Sequence, residues 1–244
     1  MNLIVPLAQA DPDAAEGFTR DPGSGGSGCP GNNGICPGWA VENFDRYIEP
    51  TLEHLVLVMV SVVLGFAIAF ALALLSHRQR WLVPPILGTT GVLYTIPSIA
   101  FFFLLLPITG RGTWTAIIAL TAYTLQIIYR NMIAGLNNVP GAAKEAGRGM
   151  GMTERQLFWR VELPLSTPEV IAGLRIATVS TVALATLAVF AGAGGLGAEI
   201  YADLNFKANV ILAGGLAILM AIAFDLLLVA SQKLISPWRR VRPV

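Results

Sequence analysis

Five stretches of the chain stay free, or nearly free, of charge for long enough to matter: Leu55–Leu75, Trp81–Ile108, Thr113–Tyr129, a run that starts near Pro168, and Ala208 to about Ser231. About 20 apolar residues in a helix cross a hydrocarbon core of roughly 30 Å, with every backbone N–H and C=O paired inside the segment. The pattern therefore predicts an all-α, polytopic membrane protein with about five transmembrane helices. The second run is irregular, because Pro84, Pro85, Pro97 and Pro107 interrupt it. A proline in a spanning helix frees a carbonyl that a neighbour must satisfy, and the hydroxyls of Thr95 and Ser98 flank Pro97. Thr95-Ile96-Pro97-Ser98 reads equally as a plain kink and as a hinge or pore-lining bend.

Between the third and fourth runs the pattern breaks into a polar, basic interval from Ala142 to Pro168. Thr153 followed by Gln156 has capping-box spacing, which predicts a helix restarting at Thr153. Ahead of it, Pro140 suits a helix start and Gly149 and Gly151 suit its end. That short helix carries Ala142, Ala143, Ala146 and Gly147, small enough for its backbone to sit deep in a groove, with Lys144 and Arg148 at helical spacing on another side. A solvated loop with helical propensity is the plainer alternative.

Composition agrees with the pattern. The chain is 55% hydrophobic and 13% charged, about half the roughly 25% charged share of a soluble domain. No basic tract points to nucleic acid. His54 and His77 sit at the two edges of the first run, away from each other and from the cysteines, and read as surface histidines; no metal site is expected.

The chain divides into a Gly/Pro-rich tail over 1–40, an amphipathic segment over 41–51, a transmembrane domain over 52–236 that contains the polar loop at 140–166, and a basic tail over 237–244. The tail cannot bury enough apolar surface to fold alone. It holds Cys29 and Cys36; on an extracytoplasmic tail a disulfide between them is favoured over two free thiols. Ala8-Gln9-Ala10 has the small residues of a signal-peptidase site, but with no basic n-region and too short an apolar stretch before it, cleavage is not expected. From Trp39 to Thr51, Val41, Phe44, Tyr47 and Ile48 fall on one face, as in an interfacial helix anchored by Trp39; an extension of the first span is nearly as good a reading.

Five crossings put the chain ends on opposite sides, and Lys and Arg choose between them. With the polar loop inside, 11 of the 16 basic side chains are cytoplasmic, so the positive-inside rule places the N-terminus outside and the C-terminus inside. Two charges remain within the spans, Arg175 and Asp225, each about 10 Å deep at a rise of 1.5 Å per residue. An intramembrane charge needs a partner, so the two are expected to pair or to share a polar pocket. Thr95, Ser98, Gln126, Thr178 and Thr181 are candidates to line a polar pathway, or to make helix–helix hydrogen bonds.

Glu145-Ala146-Gly147, three residues, Gly151, nine residues, Val161, one residue, Leu163-Pro164 resembles the glutamate-alanine-alanine loop of ABC-importer permeases, with Gly147 in place of the second alanine and Val161 in place of isoleucine. Thr95-Ile96-Pro97-Ser98, Arg130-Asn131, Gly149 to Thr153, Ala172-Gly173-Leu174-Arg175 and Gly192 to Gly197 extend the resemblance to osmoprotectant (glycine betaine, carnitine and choline) permeases, over about Leu52 to Tyr201. The resemblance implies a type I importer half, with a coupling helix at Ala143, Glu145, Ala146, Gly147, Gly151, Leu163 and Pro164. It also implies a cytoplasmic ATPase dimer, a second permease that is a copy or a homologue, and an extracytoplasmic substrate-binding protein. The chain has no GxxxxGK[ST] phosphate loop, so no enzyme activity and no bound cofactor are expected of it. ATP and Mg belong to the partner ATPase, and the cargo is a small osmoprotectant such as glycine betaine, choline, carnitine or proline. An ion-coupled secondary transporter is the alternative, although no inverted repeat is visible.

Overall fold

The computed structural model describes residues 37–235, and their regular structure is helical. Cys29, Cys36, the N-terminal Ala-Gln-Ala and the basic tail at Arg239, Arg240 and Arg242 lie outside the described residues. The chain opens on α1 (Pro37–Glu42), a 3-10 turn, and α2 (Ile48–Arg78). Two shorter helices follow, α3 (Val83–Thr95) and α4 (Ser98–Thr109), then α5 (Thr113–Asn137). The polar interval becomes α6 (Gly141–Gly149) and α7 (Glu154–Leu157). A π turn over Phe158–Glu162 leads into α8 (Leu163–Ala185), and the chain closes with α9 (Leu196–Ala202) and α10 (Lys207–Ile235).

Four helical rods are long and apolar enough to cross a membrane: Phe44–Arg78, Thr113–Asn137, Glu154–Ala191 and Lys207–Ile235. Arg80–Thr95 and Ser98–Thr109 make a fifth only as a pair, bent by 100°. The bend falls at Ile96-Pro97, where the missing proline N–H and the extended backbone of both residues stop one helix and start the next. The carbonyl at the break is satisfied by the Tyr123 hydroxyl, which donates to Ile96 O. Thr95 donates instead to Val92 O within its own helix, at 2.7 Å.

α5 is the axis of the bundle, with 61% of its most apolar part buried, and it packs on α2, α3, α4 and α8. Backbones approach closely there. A Cβ on Gly65 of α2 would collide with the Thr124 side chain, and one on Gly173 of α8 would collide with Asn131. Small residues at the crossings gain van der Waals contact that lipid, as apolar as Leu, cannot replace. α10 lies outermost, with only 11% of its most apolar part buried, and leaves Ile218, Leu219, Ile222, Leu226 and Leu227 outside.

Three sequence expectations change. The fourth span begins at Glu154 rather than near Pro168, because the π turn carries the helix across Pro164, and the Ser166 and Thr167 hydroxyls add donors to Leu163 O at 3.0 and 2.9 Å. His54 is fully buried, its Nε2 3.1 Å from Val182 O: α2 starts at Ile48, so this position is already inside the bundle. Trp39 is no interfacial anchor; it is buried edge-on against Phe206, with ring centroids 4.7 Å apart, while Val41 and Phe44 of the expected apolar face point outward.

Candidate functional site

α6 stands at one end of the bundle, built from local rules and then clamped by three contacts with the segment that follows it. Pro140 lacks the N–H that a helix start leaves unpaired anyway, and its carbonyl accepts from Ala143 and Lys144. The helix closes on a paired reversal: Met152 N–H donates to Gly147 O at 3.2 Å and Gly151 N–H to Arg148 O at 2.9 Å, with Gly151 at φ +78°. Such a 6→1 and 5→2 pair satisfies the last carbonyls and needs a left-handed residue, which glycine supplies without strain. α7 then starts on a complete capping box, with Gln156 N–H donating to Thr153 Oγ1 and Thr153 N–H to Gln156 Oε1.

The first clamp is steric. Gly147 is buried under Leu157, where a Cβ would come to 2.6 Å of Leu157 Cδ1 and 3.5 Å of Met152 Sδ. Glycine at this departure from the family pattern lets α6 lie on α7 without displacing the end of the Leu157 side chain. The second clamp is Glu162, only 4% exposed: Lys144 Nζ lies 3.2 Å from its Oε1 and His77 Nε2 3.3 Å from its Oε2. One carboxylate on the π turn thus pairs with Lys144 of α6 and lies beside His77 at the end of α2, its Oε2 without a hydrogen-bond partner. The third is at the surface, where Arg148 donates to Glu154 at 3.1 and 3.4 Å. That contact raises the Arg148 pKa above its ordinary value, first through the hydrogen bond and then through the carboxylate charge.

The outer side of α6 stays open. Ala142, Glu145 and Ala146 are exposed and Ala143 is half-buried, so a narrow face of small side chains carries one carboxylate. Leu163 and Pro164 sit at the start of α8, beyond Glu162, and hold the clamp rather than the open face.

The remaining candidates do not gather on one surface. Thr95 is exposed and Ser98 half-buried at the α3–α4 break, and Gln126 accepts the Thr90 hydroxyl between α5 and α3. Thr178 and Thr181 are buried and donate to Leu174 O and Ala177 O of their own helix, at 2.8 and 2.7 Å. Arg175 grips Asp225 with both ends of its fork, Nε to Oδ1 at 2.8 Å and Nη2 to Oδ2 at 2.9 Å, joining α8 to the outermost helix. Sequence reasoning passed over Glu162 and His77 as partners. The visible signal was a lone acid between Val161 and Leu163, in a stretch otherwise turning apolar.

The described residues thus form a bundle of membrane-length helices with one short, small-sided helix clamped at its end. The chain belongs to the family described as binding-protein-dependent transport system inner membrane components, whose model matches residues 50–241. It is an inner-membrane transport component, and the ion-coupled carrier is set aside.

Among its relatives is the carnitine transport permease protein OpuCB of Listeria monocytogenes, 39% identical over 178 residues, 72% of this chain and 82% of that protein. The osmoprotectant import permease protein OsmW of Salmonella typhimurium is 38% identical over 206 residues, 82% of this chain and 96% of that one. The choline transport system permease protein OpuBB of Bacillus subtilis is 34% identical over 197 residues, covering 80% and 91%. In fold the chain resembles the MetNI methionine ABC transporter in an inward-facing conformation (TM-score 0.67, 23% identity, 78% of this chain and 97% of that chain). It also resembles an amino acid ABC transporter crystallised with histidines (TM-score 0.68, 17% identity, 80% and 96%).

Proposed function

We propose that this chain is the permease half of an ATP-driven importer of small osmoprotectants such as glycine betaine, carnitine or choline, and that α6 is its coupling helix. The observation that carries the coupling role is the seat of α6: Gly147 pressed on Leu157 and Lys144 held by buried Glu162, with the Ala142, Glu145 and Ala146 face left open. A helix fixed along one side and free along the other transmits a push instead of absorbing it. The cargo class rests on the relatives' names and on their coverage of most of this chain.

In this reading a cytoplasmic ATPase dimer grips the open face, and closing it drives α6 against Leu157 and Glu162. Those two residues lie on the rod Glu154–Ala191, which carries the motion into the membrane. A second permease, a copy of this chain or a homologue, completes the pathway, and an extracytoplasmic binding protein delivers the solute. The excess of Lys and Arg on the α6 side supports placing that end in the cytoplasm.

Glu145→Lys tests the assignment by placing a cation on the gripping face. The variant is expected to insert normally, to lose co-purification of the ATPase, and to cut radiolabelled glycine betaine uptake by about tenfold or more, since each 1.4 kcal/mol of lost docking is a factor of ten. Unchanged uptake would show that the face is not the docking site.

A further inference from the structure

Beside the α6 seat, and separate from its open face, the end of α2 and the start of the α7–α8 rod enclose a cavity of about 820 Å³. Its lining combines Arg78, Arg80, Arg148 and Arg155 with Glu154 and Glu162, so cations outnumber carboxylates two to one. Both acids have a cation partner within the protein, Glu154 in Arg148 and Glu162 in Lys144 through Oε1, while the buried Oε2 of Glu162 has no hydrogen-bond partner. Arg78, Arg80 and Arg155 form no ion pair among the described residues, although Arg80 is close enough to Glu154 to feel its charge. Three guanidinium groups are thus gathered at one opening with their donors unclaimed by an anion.

What distinguishes this opening from an ordinary basic surface is its other wall. Leu74, exposed Leu75 and half-exposed Trp159 line it, and Trp159 leans on Phe70, which in turn stacks on Phe66, with 6.1 Å between centroids at each step. The aromatic ladder climbs α2 away from the arginines; from Arg78 back to Phe66 is roughly 18 Å at the helical rise. A cationic mouth beside an apolar wall that runs on to the partly buried Phe70 and Phe66 fits an amphiphile with an anionic head, and Trp at the boundary suits the level of the headgroups.

We propose that this cavity is a binding site for an anionic phospholipid, its phosphate held by Arg78, Arg80 and Arg155 and an acyl chain laid along Leu75, Trp159, Phe70 and Phe66. Guanidinium forks match phosphate oxygens in pairs. A zwitterionic lipid brings its own cation to the same mouth and binds less well. The lipid would brace the end of α2 against the π turn, beside His77 and Glu162. The site depends on the membrane location of the chain and not on its cargo or its ATPase.

The test is native mass spectrometry of the purified full chain. It is released from nanodiscs of equal dioleoyl phosphatidylglycerol and dioleoyl phosphatidylcholine, with a second sample incubated with inorganic phosphate. The wild-type chain should retain phosphatidylglycerol preferentially. Arg78→Gln, Arg80→Gln and Arg155→Gln together should reduce that preference by about fivefold or more. Replacing the same three by lysine should keep most of it, and Arg130→Gln, an exposed cation at the same end of α5, should leave it unchanged. Equal retention of both lipids by the wild type, or wild-type preference in the triple glutamine variant, would overturn the proposal. So would displacement of the lipid by phosphate alone, which would make the site an ion site, or a triple variant that keeps the lipid and loses only the ATPase.

Discussion

The two ends of the bundle are held by different means. At the end opposite α6, hydrogen bonds to backbone N–H and C=O groups join side-chain contacts between residues far apart in the chain. Glu53 accepts Gly195 N–H at 2.8 Å, Gly112 N–H donates to Ala191 O at 2.8 Å, and Asn209 donates to Glu199 O at 2.7 Å. Arg46 pairs with Glu199, the Tyr47 hydroxyl meets Asn209, and Trp39 plugs the corner against Phe206. At the α6 end, beyond the local backbone reversal that closes the helix, α6 is held by side chains: Lys144 on Glu162 and on Leu136 O, Arg148 on Glu154, Leu157 under Gly147. Backbone amides in a turn cannot change partner without unfolding it, whereas a lysine or an arginine can swing through several ångströms and keep its charge satisfied. One end is built to stay shut, the other to be pushed.

That contrast breaks if disturbing the α6 end changes stability and leaves transport alone. Gly147→Val should have the largest effect: its branched side chain cannot fit over Leu157, and overpacking of about 1–3 kcal/mol should lift α6 from its seat. Uptake should fall about tenfold or more, with the amount of inserted protein near wild type and a smaller drop in melting temperature than Trp39→Ala causes, as read by solute uptake beside thermal unfolding in detergent. Trp39→Ala should do the reverse, costing about 3 kcal/mol of stability by emptying the Phe206 corner, with uptake per folded molecule preserved. Glu53→Ala should repeat this more mildly, at about 1.5 kcal/mol for the lost charged acceptor of Gly195 N–H.

The smallest effect belongs to the pair between the two ends. Arg175→Ala alone should weaken assembly, and adding Asp225→Ala should restore part of it, because the double variant leaves no unpartnered charge in the membrane. A double-mutant cycle on assembled complex that shows no coupling would mean that each side chain acts alone.

How much of this was legible in the sequence follows the range of each interaction. The apolar runs and the capping box at Thr153 are local, and the structure has a helix for four of the runs, a pair of helices bent by 100° for the run broken at Pro97, and the box intact. The small residues of α6 were visible too, but not that Gly147 in particular is the one beneath Leu157. His54 and Trp39 read as surface groups because a polar or amphipathic residue at the edge of an apolar run usually is one; their burial depends on Val182 and Phe206, far along the chain. Glu162 failed to stand out for the same reason, with His77 and Lys144 on two other elements. The start of the fourth crossing was misplaced because two prolines normally end a helix, and a π turn with hydroxyl donors lets this one continue.

The central claim is that a separate ATPase grips the open face of α6. Its most direct test is disulfide trapping in native membranes between an Ala146→Cys permease and cysteines introduced one at a time on the surface of the co-expressed ATPase. The account predicts a cross-linked pair whose yield changes when ATP is added, and no cross-link from Ile99→Cys on α4. Failure of every ATPase cysteine to trap position 146, or labelling of that position in intact cells by a membrane-impermeant thiol reagent, would contradict it.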